Sequence, residues 1–289
     1  SRTITINYSD SAQSGMVTVK GKNSCGEGPV ATGLAVDVHP LPGDAGAVSG
    51  TSGVICQGAD GVAFEVNKID HADTYVWSVP SGATIVSGGG SRSILVDFNE
   101  SSDGGIVKVY GKNSCGTGAT SLAYNVDVKE KPIIETTPYQ SICSTSDSLI
   151  AKDPGSGSIY WELIKGQGTI ASPNSFETEV TGLGNGINRF EVSLTNTSGC
   201  FDIDTVTIEN NQQFVNAGAD QSICTDSFKL FGTQPESGVT GTWSVRQGAA
   251  NFADANQYNT MVKDLENGVN VLRWTLTKNG CSSYDEVTI

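Results

Sequence analysis

The residues best equipped for chemistry are seven cysteines: Cys25, Cys56, Cys115, Cys143, Cys200, Cys224 and Cys281. None forms a Cys-x-x-Cys pair, and only His39 and His71 could join them. No zinc-ligand spacing follows from that set. Lone cysteines that recur at intervals read instead as disulfides, which predicts an oxidising location outside the cytoplasm. Two pairings fit. One keeps each bridge within a repeat, as 56–115, 143–200 and 224–281, and leaves Cys25 over. The other staples neighbouring repeats, as Cys56–Cys200 and Cys143–Cys281, and leaves Cys25, Cys115 and Cys224 for partners elsewhere. In a two-sheet sandwich, Cys143 falls near the first turn and Cys200 in the last hairpin, at opposite ends of strands ~17–20 Å long. A bridge needs Cα atoms within about 7 Å. Head-to-tail stacking removes that objection for the second scheme, and both remain open on sequence alone.

Catalytic chemistry finds little to use. His39 precedes Pro40-Leu41-Pro42, and His71 lies in Ile69-Asp70-His71-Ala72-Asp73; a Ser-His-Asp site would need one of them. Paired carboxylates for glycoside hydrolysis would need one shared place, yet the repeats described below have no acidic motif in common. Gly88-Gly89-Gly90 is followed by neither a helix nor Lys-Ser/Thr, so it reads as a turn and not a phosphate loop. No catalytic, cofactor-binding or metal-ligating residue is assigned. The turns Gly58-Ala59-Asp60-Gly61 and Phe252-Ala253-Asp254-Ala255-Asn256 offer oxygens to a structural calcium, but without the regular spacing of a calcium loop. Solvated turns are the simpler reading.

The elements that would position these residues repeat. Ser91-Arg92-Ser93-Ile94-Leu95-Val96-Asp97-Phe98 matches the start of the chain at an offset of 90, as does Gly111-Lys112-Asn113-Ser114-Cys115-Gly116 with Gly21 to Gly26. Gln140-Ser141-Ile142-Cys143 matches Gln221-Ser222-Ile223-Cys224 at an offset of 81, and Cys200 matches Cys281 at the same offset. The division is therefore 1–40, the C-terminal part of a truncated repeat, then whole repeats at 41–130, 131–211 and 212–289. A half repeat cannot bury its own core, so the sequence is expected to be a piece of a longer chain. Ser1 to Ile6 alternates like a strand, and Val128-Lys129-Glu130-Lys131-Pro132 reads as a short joint.

Within repeats, short alternating runs separated by turn residues predict an all-β chain: a tandem array of immunoglobulin-like, antiparallel β-sandwiches. Trp77, Trp161 and Trp243 follow Cys56, Cys143 and Cys224 by 21, 18 and 19 residues. A tryptophan in that place fills the core of a small sandwich; the competing role is an exposed platform for a sugar ring. Composition agrees with extracellular arrays. The net charge is −14, with 17 basic against 31 acidic residues, which repels nucleic acid. No run reaches the ~18 apolar residues of a membrane helix, so no membrane insertion by this segment is expected.

Tyr75-Val76-Trp77-Ser78-Val79-Pro80-Ser81-Gly82-Ala83-Thr84-Ile85 with Gly111-Lys112-Asn113-Ser114-Cys115-Gly116 resembles the PKD-like repeats of Bacteroidetes surface proteins. Ala217 to Cys224, Gly241-Thr242-Trp243-Ser244-Val245 and Asn279-Gly280-Cys281 resemble a sister repeat of the same proteins. The resemblance implies a non-enzymatic segment of a large cell-surface adhesin exported by type IX secretion, of the SprB gliding-motility type. Its partners would be further repeats of the same chain, with a surface polysaccharide or solid substratum as the target. It also implies O-glycans at Asp-Ser/Thr-apolar sites, here Ser11, Ser148 and Thr205. The rival reading is a carbohydrate-binding module of a secreted hydrolase, for which Tyr8, Tyr139, Tyr258 and Tyr284 are the candidate aromatics.

Overall fold

A computed structural model describes residues 2–9 and 11–289. Among them there is no helix, and every element is a strand, bridge, turn or loop. The chain forms two compact units, 1–131 and 132–289. The sequence dictates the strands by simple alternation: Val62–Val66 buries every second side chain, as do Ser93–Phe98, Glu177–Thr181 and Gly186–Thr195. Such a period of two gives each sheet one apolar face for the core.

In the first unit, one sheet orders Val48–Gly50, Val62–Val66, Ser93–Phe98 and Ala83–Ser87. Gly104–Asn113 belongs to the other sheet, pairing with Thr74–Ser78 on one side and Tyr124–Lys129 on the other. Phe64, Ile94, Val96, Phe98, Val107 and Val109 fill the space between. Ahead of this sandwich, Gly15–Val17 pairs with Leu34–Val36, and Lys20–Asn23 with Gly26–Val30. The strand expected at Ser1 to Ile6 does not form over residues 2–6, and Ser1 lies outside the described residues. The matching strand Ser93–Phe98 is held by Val62–Val66 and Ala83–Ser87. Alternation fixes which side chains share a face but does not by itself supply a paired strand. The joint expected to begin at Val128 is shorter, because Val128 and Lys129 complete Tyr124–Lys129 and pair in parallel with Ile55–Cys56.

In the second unit, a sheet ordered Tyr139–Ile142, Phe201–Asn210, Gly186–Thr195 and Ser158–Lys165 faces one ordered Ser146–Ile150, Glu177–Thr181 and Thr169–Ile170. Farther on, Thr240–Gln247, Val271–Lys278 and Cys281–Thr288 form one sheet, and Phe228–Lys229, Met261–Lys263 and Asn251–Phe252 form the other. Each pair of sheets has its own core.

The two cores of this unit solve one packing problem differently. Trp161 stands opposite Val192 and Ile159 opposite Leu194. In the next sandwich Trp243 stands opposite Trp274, and Gly241 opposite Leu276. Trp274 is fully buried, and a Cβ added to Gly241 would lie 2.3 Å from its Cζ2. A second indole thus occupies space that Ile159 fills in the preceding core, and only a glycine leaves room for it. Core volume is conserved across the strand pair and not residue by residue.

Candidate functional site

Trp77, Trp161 and Trp243 are buried, at 8%, 1% and 2% exposure. A buried indole N–H needs an acceptor. Each finds one fourteen residues on: Trp77 donates to the Ser91 carbonyl, Trp161 to Ser175 and Trp243 to Gln257, at 2.9, 3.0 and 3.2 Å. The indole therefore plugs the core and also ties down the loop that crosses it.

Two buried asparagines do comparable work in the second unit. Asn188 Nδ2 donates to the Gly184 carbonyl, and its Oδ1 accepts from the Gln167 amide. Asn270 donates to Glu266 and accepts from Ala249 in the same pattern. Each clasps two turns at one end of its sandwich. Gly166 and Gly248 lie against them in the left-handed region, with φ of 91° and 76°, and a Cβ there would meet the asparagine Oδ1 at 2.5 and 2.3 Å.

At the Asn188 end of its sandwich the second unit carries a covalent joint. Cys143 follows Tyr139–Ile142, and Cys281 opens the last strand of the next sandwich, Cys281–Thr288. They are disulfide-bonded, with Cα atoms 5.3 Å apart and a sequence separation of 138. The bond follows the between-repeat scheme; the within-repeat pairs 143–200 and 224–281 do not form. Cys56 and Cys200 are also disulfide-bonded cysteines. Cys25, Cys115 and Cys224 are free and exposed.

Polar contacts seat the hairpin that brings Cys281 to this place. Asn279, at φ 46°, turns the chain, and its Nδ2 donates to Asn211 Oδ1 at 3.1 Å. Asn211 is itself fixed: its amide donates to the Ile142 carbonyl, and its Nδ2 donates to Ser141 Oγ. Lys278 Nζ lies 4.0 Å from Glu209 Oε1, and the Gln213 amide donates to Ser283 Oγ. Glu209 also accepts from Tyr139 Oη at 2.5 Å, and that hydrogen bond is the main cause that raises the phenol's pKa above its usual value.

The remaining candidates are scattered. His39 pairs with Asp37, whose carboxyl is held below its usual range first by the Ser14 hydroxyl and then by His39. His71 sits in a left-handed turn at φ 59°, and its carbonyl accepts from Asn113. No group of three or more His, Cys, Asp or Glu placed to hold a metal occurs among the described residues. Tyr139 and Tyr284 are exposed, the latter under the Arg273 guanidinium at 3.6 Å, while Tyr258 packs against a core. Ser11 and Thr205 are exposed and Ser148 half-buried; Asp10, which precedes Ser11, lies outside the described residues.

Residues 41–126 match the family model of the PKD-like domain. No curated protein matches the chain. Among solved structures, the chain is similar to the I-band fragment of titin, at 11% identity, with 86% of this chain and 95% of that chain covered and a TM-score of 0.33. It is similar to extracellular domains 3–5 of Drosophila OTK, at 11% identity, 86% and 98% coverage and a TM-score of 0.31. It is also similar to immunoglobulin domains 1–4 of Sidekick-1, at 12% identity, 95% and 82% coverage and a TM-score of 0.28. Overlaps this small carry no functional argument. The chain is an all-β array with immunoglobulin-like and PKD-like sandwiches, a type of module common in extracellular adhesion and stalk proteins.

Proposed function

We propose that this chain is a non-catalytic, load-bearing segment of an extracellular stalk or adhesin. Its beads would be the sandwiches at 41–130, 131–211 and 212–289, with 1–40 belonging to a further one. The observation that carries the reading is the Cys143–Cys281 bridge, which joins one sandwich to the next. A bridge within a core stabilises that core alone, whereas a bridge across a joint also limits bending there. An oxidising compartment is the setting in which such bonds persist. The family resemblance narrows the proposal to a Bacteroidetes surface adhesin of the gliding type, exported by type IX secretion, with polysaccharide or a solid surface as the target. It also makes Ser11, Ser148 and Thr205 glycan sites, which an intact mass above that of the bare polypeptide would support.

The test is a distance distribution between probes on Tyr160 and Ser244, one in each sandwich of the second unit. With the bridge intact the distribution is narrow. The double variant Cys143→Ser/Cys281→Ser broadens it, and an unchanged width refutes the role of the bridge in stiffness. Antibodies against the segment that label intact cells of the source organism would place it outside; labelling only after lysis would overturn that location.

A further inference from the structure

The outer face of one sheet in the second unit carries residues that its fold does not require. Along Ser158–Lys165, Gly186–Thr195 and Phe201–Asn210, alternate residues turn away from the core. The cross-strand register sets these outward residues in rows. Tyr160, Ser193 and Ile203 form one row, with Phe201 beside it; Tyr160, Ile203 and Phe201 are 49%, 48% and 57% exposed. The next row is acidic, with Glu162 directly opposite Glu191. The row after it is basic, with Lys165 opposite Arg189. Ile187, which is 45% exposed, stands one row farther on.

Like charges directly opposite each other destabilise a sheet, and both charged rows are of that kind. None of the four side chains forms an ion pair among the described residues. The following sandwich uses the same positions differently. At offsets of 82, 82 and 81, Glu162, Glu191 and Thr205 become Ser244, Arg273 and Glu286. Arg273 pairs with Glu286 within the copy and lies over Tyr284, the counterpart of Ile203. Tyr160 and Phe201 become Thr242 and Ser282. That face neutralises itself, whereas the face of the preceding sandwich keeps an apolar strip beside two unpaired charge rows of opposite sign.

We infer that this face binds the same face of a second copy of the chain, with the two copies antiparallel. A face-to-face pair has a two-fold axis lying between the sheets. With the axis along the strands, each row meets itself, and glutamate is pressed on glutamate. With the axis across the strands, between the two charged rows, Glu162 lies over Lys165 of the second copy and Glu191 over its Arg189. The row of Tyr160, Ser193 and Ile203 then covers Ile187. Charge order therefore selects the antiparallel pair, because like-charge contacts penalise the other. The face measures about 15–20 Å by about 30 Å. That is on the order of 500 Å² per copy and 1,000 Å² in the pair, the lower end of specific interfaces, so the contact is weak and reversible. Thr205 stands in the acidic row, opposite Glu191, and the contact requires its hydroxyl to be bare. Antiparallel copies are what stalks rooted on two facing surfaces would present to each other; that consequence rests on the stalk reading, and the contact itself does not.

The test is sedimentation equilibrium of the 289-residue chain, free of glycans, over a concentration series. The wild type is expected to show a monomer–dimer equilibrium. Glu162→Lys/Glu191→Lys and Lys165→Glu/Arg189→Glu should each weaken it at least tenfold, and a mixture of the two should restore it as a heterodimer. The first of these variants makes the chain less acidic, so a general loss of repulsion would act in the opposite direction. Tyr160→Ser, which alters no charge, should also weaken the dimer. Combining all four charge changes exchanges the two rows; that variant should pair with itself as well as the wild type does, but not with the wild type. A photoreactive benzoylphenylalanine at Ser193 should cross-link to the segment around Ile187 of the second copy. Melting temperatures within a few degrees of the wild type confirm that the variants are folded. The proposal is overturned if the wild type stays monomeric up to about 1 mM, if the charge variants associate as the wild type does, if the exchanged variant prefers the wild type to itself, or if the cross-link falls on Ser193's own row or on the first unit. A monomeric wild type would leave the stalk reading standing, since that reading is decided by the bridge experiment above.

Discussion

Tension applied to the second unit has a covalent shortcut. A chain pulled between Pro132 and Ile289 carries force to Cys143, across the sulfur bridge to Cys281, and out through the last strand. The span between the cysteines, a sequence separation of 138, never enters the load path. Fully extended it would add about 480 Å, at ~3.3–3.6 Å per residue. The residues left outside the bridge amount to about 65 Å on the same scale. The assay is single-molecule stretching of the full chain with handles at residues 132 and 289, with and without reductant. Oxidised protein should extend by no more than the shorter length. Reduced protein, or Cys143→Ser/Cys281→Ser, should release the further ~480 Å as the two cores open. A full-length release from fully oxidised protein would refute the bypass. The same closure also limits the unfolded chain, and loop entropy for a span this long contributes about 5 kcal/mol to stability.

Other perturbations test the cores and clasps. Gly241→Ala forces a methyl against Trp274 and should cost about 1–3 kcal/mol in chemical unfolding; Gly241→Ile with Trp274→Val, which copies the preceding core, should recover most of the loss, and a purely additive double variant would sink the exchange argument. Trp161→Phe keeps much of the apolar bulk but leaves the Ser175 carbonyl without its donor, a loss of about 1–3 kcal/mol, whereas Trp161→Ala should cost about 3–5 kcal/mol; a Trp161→Phe variant as stable as the wild type would mean the hydrogen bond contributes nothing. Asn188→Ala strips the Gln167 amide and the Gly184 carbonyl of their partners, so Gln167 should exchange its amide hydrogen at least tenfold faster. Tyr139 should ionise above the ordinary phenol pKa when followed by NMR. The fold holds the protonated phenol, so that contribution is present below the ordinary phenol pKa and fades as pH rises through the raised one; Glu209→Gln should bring the titration back toward normal.

Much of this was legible because large side chains and cysteines leave periodic marks. The spacing of Trp77, Trp161 and Trp243 could be counted, and so could the offset that relates Cys143 to Cys224 and Cys200 to Cys281. What could not be counted was anything that depends on which strands face each other. The exchange of Ile159 and Val192 for Gly241 and Trp274 shows only once the cross-strand register is known. Asn188 and Asn270 escaped notice because asparagine near Gly reads as a turn residue. The signal was there in Asn185-Gly186-Ile187-Asn188 set against Asn267-Gly268-Val269-Asn270, where the second asparagine falls inside an apolar run. The alternation from Ser1 to Ile6 shows the limit of that signal: a period of two assigns side chains to faces, and residues 2–6 form no strand in the structure.

One pairing decides what happens if the sulfur link is cut. Tyr139–Ile142 runs parallel to Thr207–Asn210, joining the opening strand of its sandwich to the closing one. A pull on the two ends of that sandwich then drags these neighbours past each other along their common axis, and the whole ladder must slip together instead of unzipping rung by rung. Ile55–Cys56 lies beside Val128–Lys129 in the same sense. Reduction would therefore hand the load to a second, non-covalent catch before any core is exposed.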